Sequence, residues 1–355
     1  MMGGVFKDLK VVEIASVLAG PSVGMFFSEL GAEVIKIENK KTKGDVTRSW
    51  KLPSENKLTN VSAYFCSVNY KKQYRFLDLS DNKDILKVKA FISQADIVIL
   101  NFKKGDDIKF GLDYASLKKE NPKLIYATIN GFGEESDRVA YDLILQAETG
   151  FMSMNGTPTS GPVKMPVALI DVLAGHQLKE GILVALYERQ NTGKGKKVSV
   201  SLYDAAVASL ANQATNWLMA NHVAKPIGSK HPNIAPYGEL FKTKDEKLIT
   251  FAIGSDKQFT NLCKALGLDT ILEDERFKNN VNRVKNRAVL EEILKSEIIK
   301  HQSNELLPKL HQLFVPVAKI NSIDEVFKNN NAKDLIISET INGVKTKRVK
   351  TVIFK

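Results

Sequence analysis

The groups that could do chemistry in this chain are mainly carboxylates, hydroxyls and backbone amides. Its five histidines show no H-E-x-x-H or other metal-ligand spacing, and no metal site is predicted. The segment 156–164, GTPTSGPVK, lacks the lysine that a phosphate-binding Walker loop requires after its second glycine. No G-x-G-x-x-G follows the first predicted strand, which disfavours NAD-type dinucleotide binding.

One carboxylate is notable for its position along the chain. Asp171 lies in MPVALIDVLAG, directly before a long apolar helical stretch. An aspartate at such a place commonly accepts hydrogen bonds from the first backbone N–H groups of the helix, so the pattern alone favours an N-cap. The same amides would hold the carboxylate in its ionised form.

Composition limits the size, partners and compartment that we expect. The 355 residues, 43% of them hydrophobic, can bury a large core and leave room for two domains. The net charge of +11 favours anionic partners, but no basic stripe interleaved with aromatic residues is found, so nucleic-acid binding is not predicted.

The first residues and the apolar runs give no sign of membrane insertion or export. No stretch approaches the roughly 18 apolar residues of a membrane span. The opening MMGGVFKDLK also lacks the apolar segment of a secretory signal. We therefore expect a cytoplasmic protein without a membrane partner. Cys66 and Cys263 are too few for a disulfide framework and are expected to be core thiols.

Short apolar runs alternate with amphipathic stretches through the first two hundred residues, which is typical of βαβ units around a parallel sheet. Strands are predicted at 9–15, 33–37, 97–100, 124–128 and 198–202. Helices are predicted from Pro21, at 114–120, after Asp171, and from the end of the last strand through Asp204 to about Asn221. Pro21 suits the first position of its helix, which Gly31 closes. The pattern predicts an α/β fold with a doubly wound, Rossmann-like large domain.

A proline-containing segment, 224–238, marks the expected domain boundary. Beyond it the sequence predicts a strand at 248–253 and helices near 256–266, 289–299 and 304–313. We assign 1–221 to the large domain and 222–325 to a smaller α+β domain with its linkers.

Motifs throughout the chain resemble one enzyme family in order and spacing. They are LAGPS at 18–22, GAEVIKIE at 31–38, GDVTRSW at 44–50, NF at 101–102, NPKLIYATINGFGEES at 121–136, YD at 141–142, TGKGKKVSVSLYDA at 192–205, HPNIAPYG at 231–238, DERF at 274–277 and VPVAKI at 315–320. The family is the class III CoA-transferases, which includes formyl-CoA and carnitine CoA-transferases and the related alpha-methylacyl-CoA racemases. Each fragment is weak alone, but together they span nearly the whole chain.

The resemblance implies an architecture and a reaction. Residues 326–355 would return to the large domain, and two chains would form an interlocked homodimer. Asp171 stands at the position of the family's catalytic aspartate. It would attack an acyl-CoA thioester, pass through a mixed anhydride and an aspartyl-CoA thioester, and deliver CoA to a carboxylic acid. No permanently bound cofactor is implied, since CoA and acyl-CoA act as substrates.

An alternative within the same family is a 2-methylacyl-CoA racemase or epimerase, which abstracts the alpha proton and needs two bases. The racemase subgroup has a histidine thirty residues before the aspartate, where this chain has Tyr141. With an ordinary pKa near 10, a tyrosine is a poor base at neutral pH. Tyr141 is therefore expected to donate a hydrogen bond to an oxyanion, or to be a half-buried packing aromatic. A non-catalytic CoA- or nucleic-acid-binding module is the alternative from another class.

The resemblance also implies contacts to CoA from residues at loop positions. They are Val17, Leu18, Lys71, Lys72, Asn101, Phe102 and Lys109. The lysines would neutralise phosphates, and Phe102 would offer a face for adenine. Leu18 replaces the glutamine of formyl-CoA transferases, so formate and oxalate are not expected as substrates. Asn39 replaces a common basic residue, for which Lys40 or Lys41 would substitute.

Overall fold

The computed structural model describes residues 4–354, which form two compact units. The first takes the chain up to Pro226 and again from Asp334, and the second is Ile227–Lys333. The boundaries expected from the sequence, at 222 and 325, fall a few residues before these. None of the helices in the described range is long and apolar enough to cross a membrane.

The strands belong to four sheets. They are β1 (Lys10–Ile14), β2 (Glu33–Asn39), β3 (Gln73–Leu77), β4 (Ile97–Leu100), β5 (Ile125–Asn130), β6 (Gly156–Thr157), β7 (Gly161–Pro162), β8 (Lys197–Ser201), β9 (Tyr237–Lys242), β10 (Leu248–Ala252), β11 (Val317–Lys319), β12 (Ile336–Ile341) and β13 (Val344–Val349). The main sheet has the order β3-β2-β1-β4-β5-β8, and all of its strands are parallel. This order reverses at β1 and β4, as in doubly wound α/β sheets.

The helices connect and cover these strands. They are α1 (Ala19–Glu29), α2 (Ala63–Cys66), α3 (Asn82–Ser93), α4 (Asp106–Phe110), α5 (Tyr114–Glu120), α6 (Asp142–Glu148), α7 (Phe151–Met154), α8 (Leu169–Thr192), α9 (Leu202–Ala208), α10 (Ala211–Ala220), α11 (Asp256–Leu266), α12 (Asn280–Lys285), α13 (Arg287–Ile298), α14 (Ser303–Gln312), α15 (Ile323–Val326) and α16 (Asn330–Lys333). Short 3₁₀ turns add Val46–Ser49 and Asp269–Leu272.

The parallel sheet is buried on both faces, and this explains its uninterrupted apolar strands. Alternate residues of each strand point to opposite faces. On β4, Ile97 and Ile99 pack with helices α1, α8 and α9 in one core, while Val98 and Leu100 pack with α3 and α5 in the other. Strand β4 is therefore fully buried, as its sequence IVIL indicates.

Three helix predictions need correction. Helix α1 begins at Ala19, so Pro21 is its third residue and not its first. The single helix expected between Asp204 and Asn221 is two helices, α9 and α10, which separate near Ala211, a residue with a positive φ of 47°. Helix α8 begins at Leu169, so Asp171 lies inside the helix and not before it.

The second unit has its own core. Its antiparallel sheet has the order β11-β10-β9. Buried residues of β9 and β10 pack against α11, α13 and α14, with Phe241, Phe251 and Phe259 among the largest side chains. Cys263 is buried in this core, whereas Cys66 is buried at the end of α2 in the first unit.

The antiparallel hairpin β12–β13 lies in the first unit, where Ile341 packs with Phe65 and Cys66 of α2. The carboxylate of Glu339 accepts a hydrogen bond from the backbone N–H of Lys71 at 3.0 Å. The chain beyond the hairpin is also fixed, because the Glu29 carboxylate accepts the N–H groups of Thr351 and Val352.

A cluster of buried charges joins the first two strands. Glu13 on β1 lies 2.9 Å from the ammonium of Lys36 on β2 and 2.7 Å from that of Lys72. Lys36 also lies 3.2 Å from Asp45. Burial alone would lower the pKa of Lys36, but the charges of Glu13 and Asp45 outweigh it and raise that pKa. We call Glu13, Lys36, Asp45 and Lys72 the buried charge cluster.

Glu13 is expected to be critical for stability, because it neutralises two buried ammonium groups. Replacing it by glutamine leaves both lysines underpaired, and the free energy of unfolding should fall by about 3–5 kcal/mol. Urea denaturation of Glu13→Gln would measure this. The matched control is Glu33→Gln, which changes an exposed side chain at the start of β2. Equal stability losses in the two variants would contradict the role given to Glu13.

Candidate active site

A cavity of about 560 Å³ opens at the carboxyl ends of four parallel strands. It is lined by the carboxyl ends of the strands and the residues just after them, at β1 (Ile14 to Ser16), β2 (Ile37 to Asn39), β3 (Leu77 to Ser80) and β4 (Asn101 to Lys103), together with Lys36, Lys41, Thr42, Gly44, Asp45, Val46, Asp106 and Phe110. We call it the strand-edge cavity. It spans the point between β1 and β4 where the strand order reverses, which is where open α/β sheets bind ligands.

The loop between β1 and α1 forms one wall of this cavity and is held at three successive residues. The ammonium of Lys36 donates to the carbonyl of Ala15 at 2.5 Å. The side-chain amide of Asn101 accepts the N–H of Ser16 and donates to its carbonyl. The N–H of Val17 donates to the two carboxylate oxygens of Asp45 at 3.3 and 3.4 Å.

The outer part of the cavity combines aromatic and basic side chains. Phe102 and Phe110 form an edge-to-face pair with ring centroids 5.8 Å apart. Lys41 lines the cavity and bonds to Asp78 and Ser80 at 2.9 and 2.6 Å. Lys40, its neighbour in sequence, is not among the lining residues. Lys40 and Lys41 were the expected substitutes for the basic residue that Asn39 replaces, and of these two Lys41 lines the cavity.

The predicted CoA contacts fall into two groups. Asn101 and Phe102 line the cavity, while Val17 and Leu18 continue the loop that forms its wall, and Lys109 lies on α4 between the lining residues Asp106 and Phe110. Both polar ends of the Asn101 amide are used by Ser16, so this side chain orients the loop.

Lys71 and Lys72 are not brought to the cavity. Lys71 precedes β3 at the amino-terminal edge of the sheet, about 16 Å of strand away from the opposite edge. Lys72 is buried, and its ammonium donates to Glu13, the Pro21 carbonyl and the Asn69 side chain. Burial lowers the pKa of Lys72 to about 8, against the opposing charge of Glu13. The geometry therefore gives no support to a phosphate contact by either lysine.

Asp171 lies in the first turn of α8 and is only 8% exposed. Ala168 occupies the N-cap position, so the expected N-cap role of Asp171 is wrong. Within residues 4–354 its carboxylate makes no hydrogen bond. Burial, and secondarily the charge of Asp142, raises the pKa of Asp171 to about 7. The expectation that helix amides hold this group ionised is also wrong, because no backbone amide of residues 4–354 donates to it and burial favours its neutral form.

Asp142 supplies the hydrogen bond that the start of α8 needs. Its carboxylate accepts the backbone N–H of Ile170 at 2.8 Å and the side-chain amide of Gln146 at 2.6 Å. Gln146 also accepts the N–H of Met165 at 2.8 Å. Two residues of helix α6, one turn apart, thereby fix the segment that leads into α8. Tyr141 was singled out by its distance of thirty residues from Asp171, but its neighbour Asp142 is the residue whose charge acts on Asp171.

Two tyrosines differ in their relation to these carboxylates. Tyr141 is 60% exposed, so the expected half-buried packing position is wrong. Tyr64 on α2 was missed by the sequence analysis. Burial, followed by the charges of Asp171, Asp142 and Asp45, raises the pKa of Tyr64 to about 12. Tyr64 therefore lies within electrostatic reach of Asp171 and stays protonated at neutral pH.

The segment Gly20 to Gly24, GPSVG, has the G-x-S-x-G spacing of a serine nucleophile. In the structure Ser22 is buried within α1, and its hydroxyl donates to the carbonyl of Ala19 at 2.7 Å. This geometry gives no support to a nucleophilic role for Ser22.

Comparison with known proteins identifies the family. The family model of CoA-transferase family III matches residues 6–354. The chain belongs to CoA-transferase family III. This CoA-transferase is 39% identical over 327 residues to the succinate–glutarate CoA-transferase of Agrobacterium fabrum, which covers 90% of this chain and 81% of the relative. It is 34% identical over 324 residues to the succinyl-CoA:glutarate CoA-transferase of Mus musculus, covering 90% and 73%.

A solved structure supports the same assignment. The crystal structure of a CaiB/BaiF family protein from Brucella suis matches the CoA-transferase with a TM-score of 0.88 and 36% sequence identity. The match covers 99% of this chain and 93% of the other. The fold with a parallel central sheet is thus shared with a solved relative.

The raised pKa of Asp171 predicts that this residue costs the enzyme stability at neutral pH. The pKa of Asp171 is 3.8 in the unfolded chain and about 7 in the folded protein, so the folded protein binds this proton more tightly. The free energy of unfolding therefore falls as pH rises from about 4 to about 7. Asp171→Asn cannot ionise, and its advantage in free energy of unfolding should approach about 4 kcal/mol above pH 7. Thermal melting between pH 4 and pH 8 should show the melting temperature of the variant rising relative to that of the wild type as pH increases.

The exposed Asp137 offers a control, because Asp137→Asn removes a solvated carboxylate and should leave the pH dependence of melting unchanged. A constant difference between Asp171→Asn and the wild type at all pH values would contradict the raised pKa.

Proposed function

We propose that this enzyme moves CoA from an acyl-CoA donor to a carboxylic acid acceptor through a thioester on Asp171. The observation that carries the proposal is the Asp171 carboxylate itself, which is buried, has no hydrogen-bond partner in residues 4–354 and has its pKa raised to about 7. A carboxylate that is neither capped nor paired keeps its lone pairs free for attack on a carbonyl carbon.

The reaction proceeds in four exchanges that need no ATP. An Asp171 oxygen attacks the thioester carbonyl of the donor, and the carbon–sulfur bond breaks to give a mixed anhydride and CoA thiolate. The thiolate attacks the Asp171 carboxyl carbon and expels the donor acid, which leaves aspartyl-CoA. The acceptor carboxylate then attacks the same carbon and releases the thiolate again. Finally the thiolate attacks the acceptor carbonyl, which forms the new acyl-CoA and restores Asp171.

Tyr64 is proposed as a hydrogen-bond donor in these steps. Its pKa of about 12 keeps the hydroxyl protonated, and the charges that raise this pKa come from Asp171, Asp142 and Asp45. A hydroxyl near the reacting carboxylate can donate to a substrate carboxylate or to an oxyanion. This is the task that the sequence had given to Tyr141, whose exposed hydroxyl remains a second proposed donor.

We place CoA binding in the first unit, with the nucleotide part in the strand-edge cavity. Its volume of about 560 Å³ lies in the range of small-molecule sites. Phe102 and Phe110 offer faces for the adenine, and Lys41 and Lys103 offer positive charge for phosphates. Lys109 on the neighbouring helix turn stays a proposed contact, and the backbone of Val17 and Leu18 would lie against the ligand.

Small dicarboxylic acids are the proposed acceptors, with succinyl-CoA as a donor. The names of the relatives from Agrobacterium fabrum and Mus musculus pair succinate or succinyl-CoA with glutarate. The racemase alternative is not favoured, because both of these relatives are CoA-transferases and Tyr141 stands where a base would be needed.

An interlocked homodimer is proposed as the working form. The apolar side chains Trp217, Leu218 and Met219 of α10 are 51–81% exposed in the single chain. Helix α10 has no buried residue at all in this unit. Such a concentration of exposed apolar residues on one helix is typical of a surface that another chain covers.

Trapping would test the covalent route. Incubation with succinyl-CoA followed by hydroxylamine should convert Asp171 to a hydroxamate, which peptide mass spectrometry would locate. Asp171→Asn should give no adduct and no transfer, while it still binds CoA. An adduct on another residue, or transfer by Asp171→Asn, would contradict the proposal. Deuterium incorporation at the alpha carbon of 2-methylacyl-CoA without transfer would favour the racemase instead.

Two adjacent lysines provide a matched test of the CoA site. Lys41→Met removes a positive charge from the cavity wall, so the KM for acyl-CoA should rise about tenfold, as for loss of one charged hydrogen bond. Lys40→Met removes the same charge one residue away, outside the cavity, and should change the KM by less than about twofold. Steady-state kinetics at fixed salt would measure both, and equal effects would contradict the placement of CoA.

A further inference from the structure

Val17 has a backbone conformation that its side chain disfavours. Its φ of 73° lies in the left-handed region. For a β-branched residue this is a genuine outlier, and it persists only where the surrounding structure imposes it. Glycine would adopt this conformation without strain. Because the chain has valine there, the strain must be offset by contacts that the neighbouring segments make.

The carboxylate of Asp45 is the group that contacts Val17. It accepts the Val17 N–H through both oxygens, at 3.4 and 3.3 Å. The same carboxylate accepts the N–H and hydroxyl of Thr47 at 3.0 and 2.8 Å and lies 3.2 Å from the Lys36 ammonium. The Asp45 side chain is 1% exposed, so these bonds are shielded from water. Thr47 and Lys36 therefore fix the position of the Asp45 carboxylate, independently of its bonds to Val17.

The ion pair of Asp45 with Lys36 also fixes Ala15, two residues before Val17. The Lys36 ammonium donates to the Ala15 carbonyl, and the Asp45 carboxylate accepts the Val17 N–H. One buried ion pair therefore binds the β1–α1 loop on both sides of Ser16. Ser16, Ala15 and Asp45 all line the strand-edge cavity. A change of φ at Val17 would therefore move the wall of the cavity. By contrast, the start of α8, which carries Asp171, is held separately by Asp142 and Gln146.

We infer that Asp45 is a positioning residue that holds Val17 in its left-handed conformation and so shapes the strand-edge cavity for acyl-CoA. The inference rests on the proposed function, because it takes acyl-CoA as the ligand of this cavity. It assigns to Asp45 a large effect on ligand affinity and a small one on the chemical step, since Asp171 is anchored by a different set of bonds and Asp45 is the least of the three charges that raise the pKa of Tyr64.

The kinetic test uses the full-length enzyme with succinyl-CoA. Asp45→Ala should raise the KM for acyl-CoA on the order of tenfold while kcat stays within about threefold, the pattern of lost ground-state binding. Asp45→Asn keeps an oxygen acceptor and should raise the KM by only about threefold. The control is Asp113→Ala, which removes the N-cap carboxylate of α5 outside the cavity; it should lower the melting temperature but not raise the KM.

A double-mutant cycle with Val17→Gly separates positioning from general destabilisation. Glycine tolerates the left-handed conformation, so adding Asp45→Ala to Val17→Gly should raise the KM by less than it does in the wild type. An equal increase in both backgrounds would overturn the inference. So would a fall in kcat and melting temperature with an unchanged KM.

Hydrogen exchange of the Val17 amide tests the contact without relying on catalysis. The wild type should protect this amide, and Asp45→Ala should expose it to faster exchange. Asp45→Asn, which keeps the shape of the side chain, gives an intermediate rate and serves if the alanine variant does not fold. Unchanged exchange in both would overturn the inference. Absence of transfer by the wild type, with the exchange result as expected, would instead count against the proposed function.

Discussion

The structure depends on burying six charges beside the carboxyl ends of β1 and β2 without leaving one unpaired. The charges are those of Glu13, Lys36, Lys72 and Asp45 in the buried charge cluster, and of Glu38 and Arg48 next to it. Three are negative and three positive, so the group is neutral. Removing a carboxylate or ammonium from water costs several kcal/mol, which is recovered only when every partner is in place. The cluster therefore permits few alternative arrangements of the strands and loops that carry it.

This requirement connects the cavity to distant parts of the first unit. Arg48 forms a two-bond pair with Glu38, at 2.7 and 2.8 Å, and its guanidinium lies 3.7 Å from the centre of the Phe65 ring. Phe65 in turn packs against Ile341 of the hairpin β12–β13. The hairpin thus packs against the ring that covers Arg48, and the charges next to Arg48 include Asp45, which binds the cavity wall at Val17. A hairpin far along the sequence contributes to a site built mostly from the first 110 residues.

The sequence predicted most of the architecture, because apolar periodicity reports burial directly. Strand β4 and helices α5 and α11 lie at the predicted residues. It predicted the site less well, because residue type does not say whether a side chain faces solvent or a buried partner. Lys72 shows this limit: at a loop position it resembles a phosphate contact, but Glu13, which is 59 residues away, draws it into the core. Asp142 and Tyr64 depend on the same kind of long-range contact.

At the start of α8 the residue that accepts the helix N–H group is not Asp171, and this leaves the Asp171 carboxylate without a hydrogen bond in residues 4–354. The first N–H groups of a helix need acceptors, and an aspartate in the first turn would ordinarily supply one. Here Asp142 accepts the Ile170 N–H from a different helix, which leaves Asp171 without a hydrogen bond in the described chain. The two negative charges then repel each other, and burial adds to the penalty on ionised Asp171. In the proposed mechanism the anhydride and the thioester on Asp171 are both uncharged, so the first step moves the negative charge from Asp171 to the CoA thiolate and the last step returns it. The same desolvation that raises the pKa of Asp171 therefore favours moving this charge off the Asp171 carboxylate.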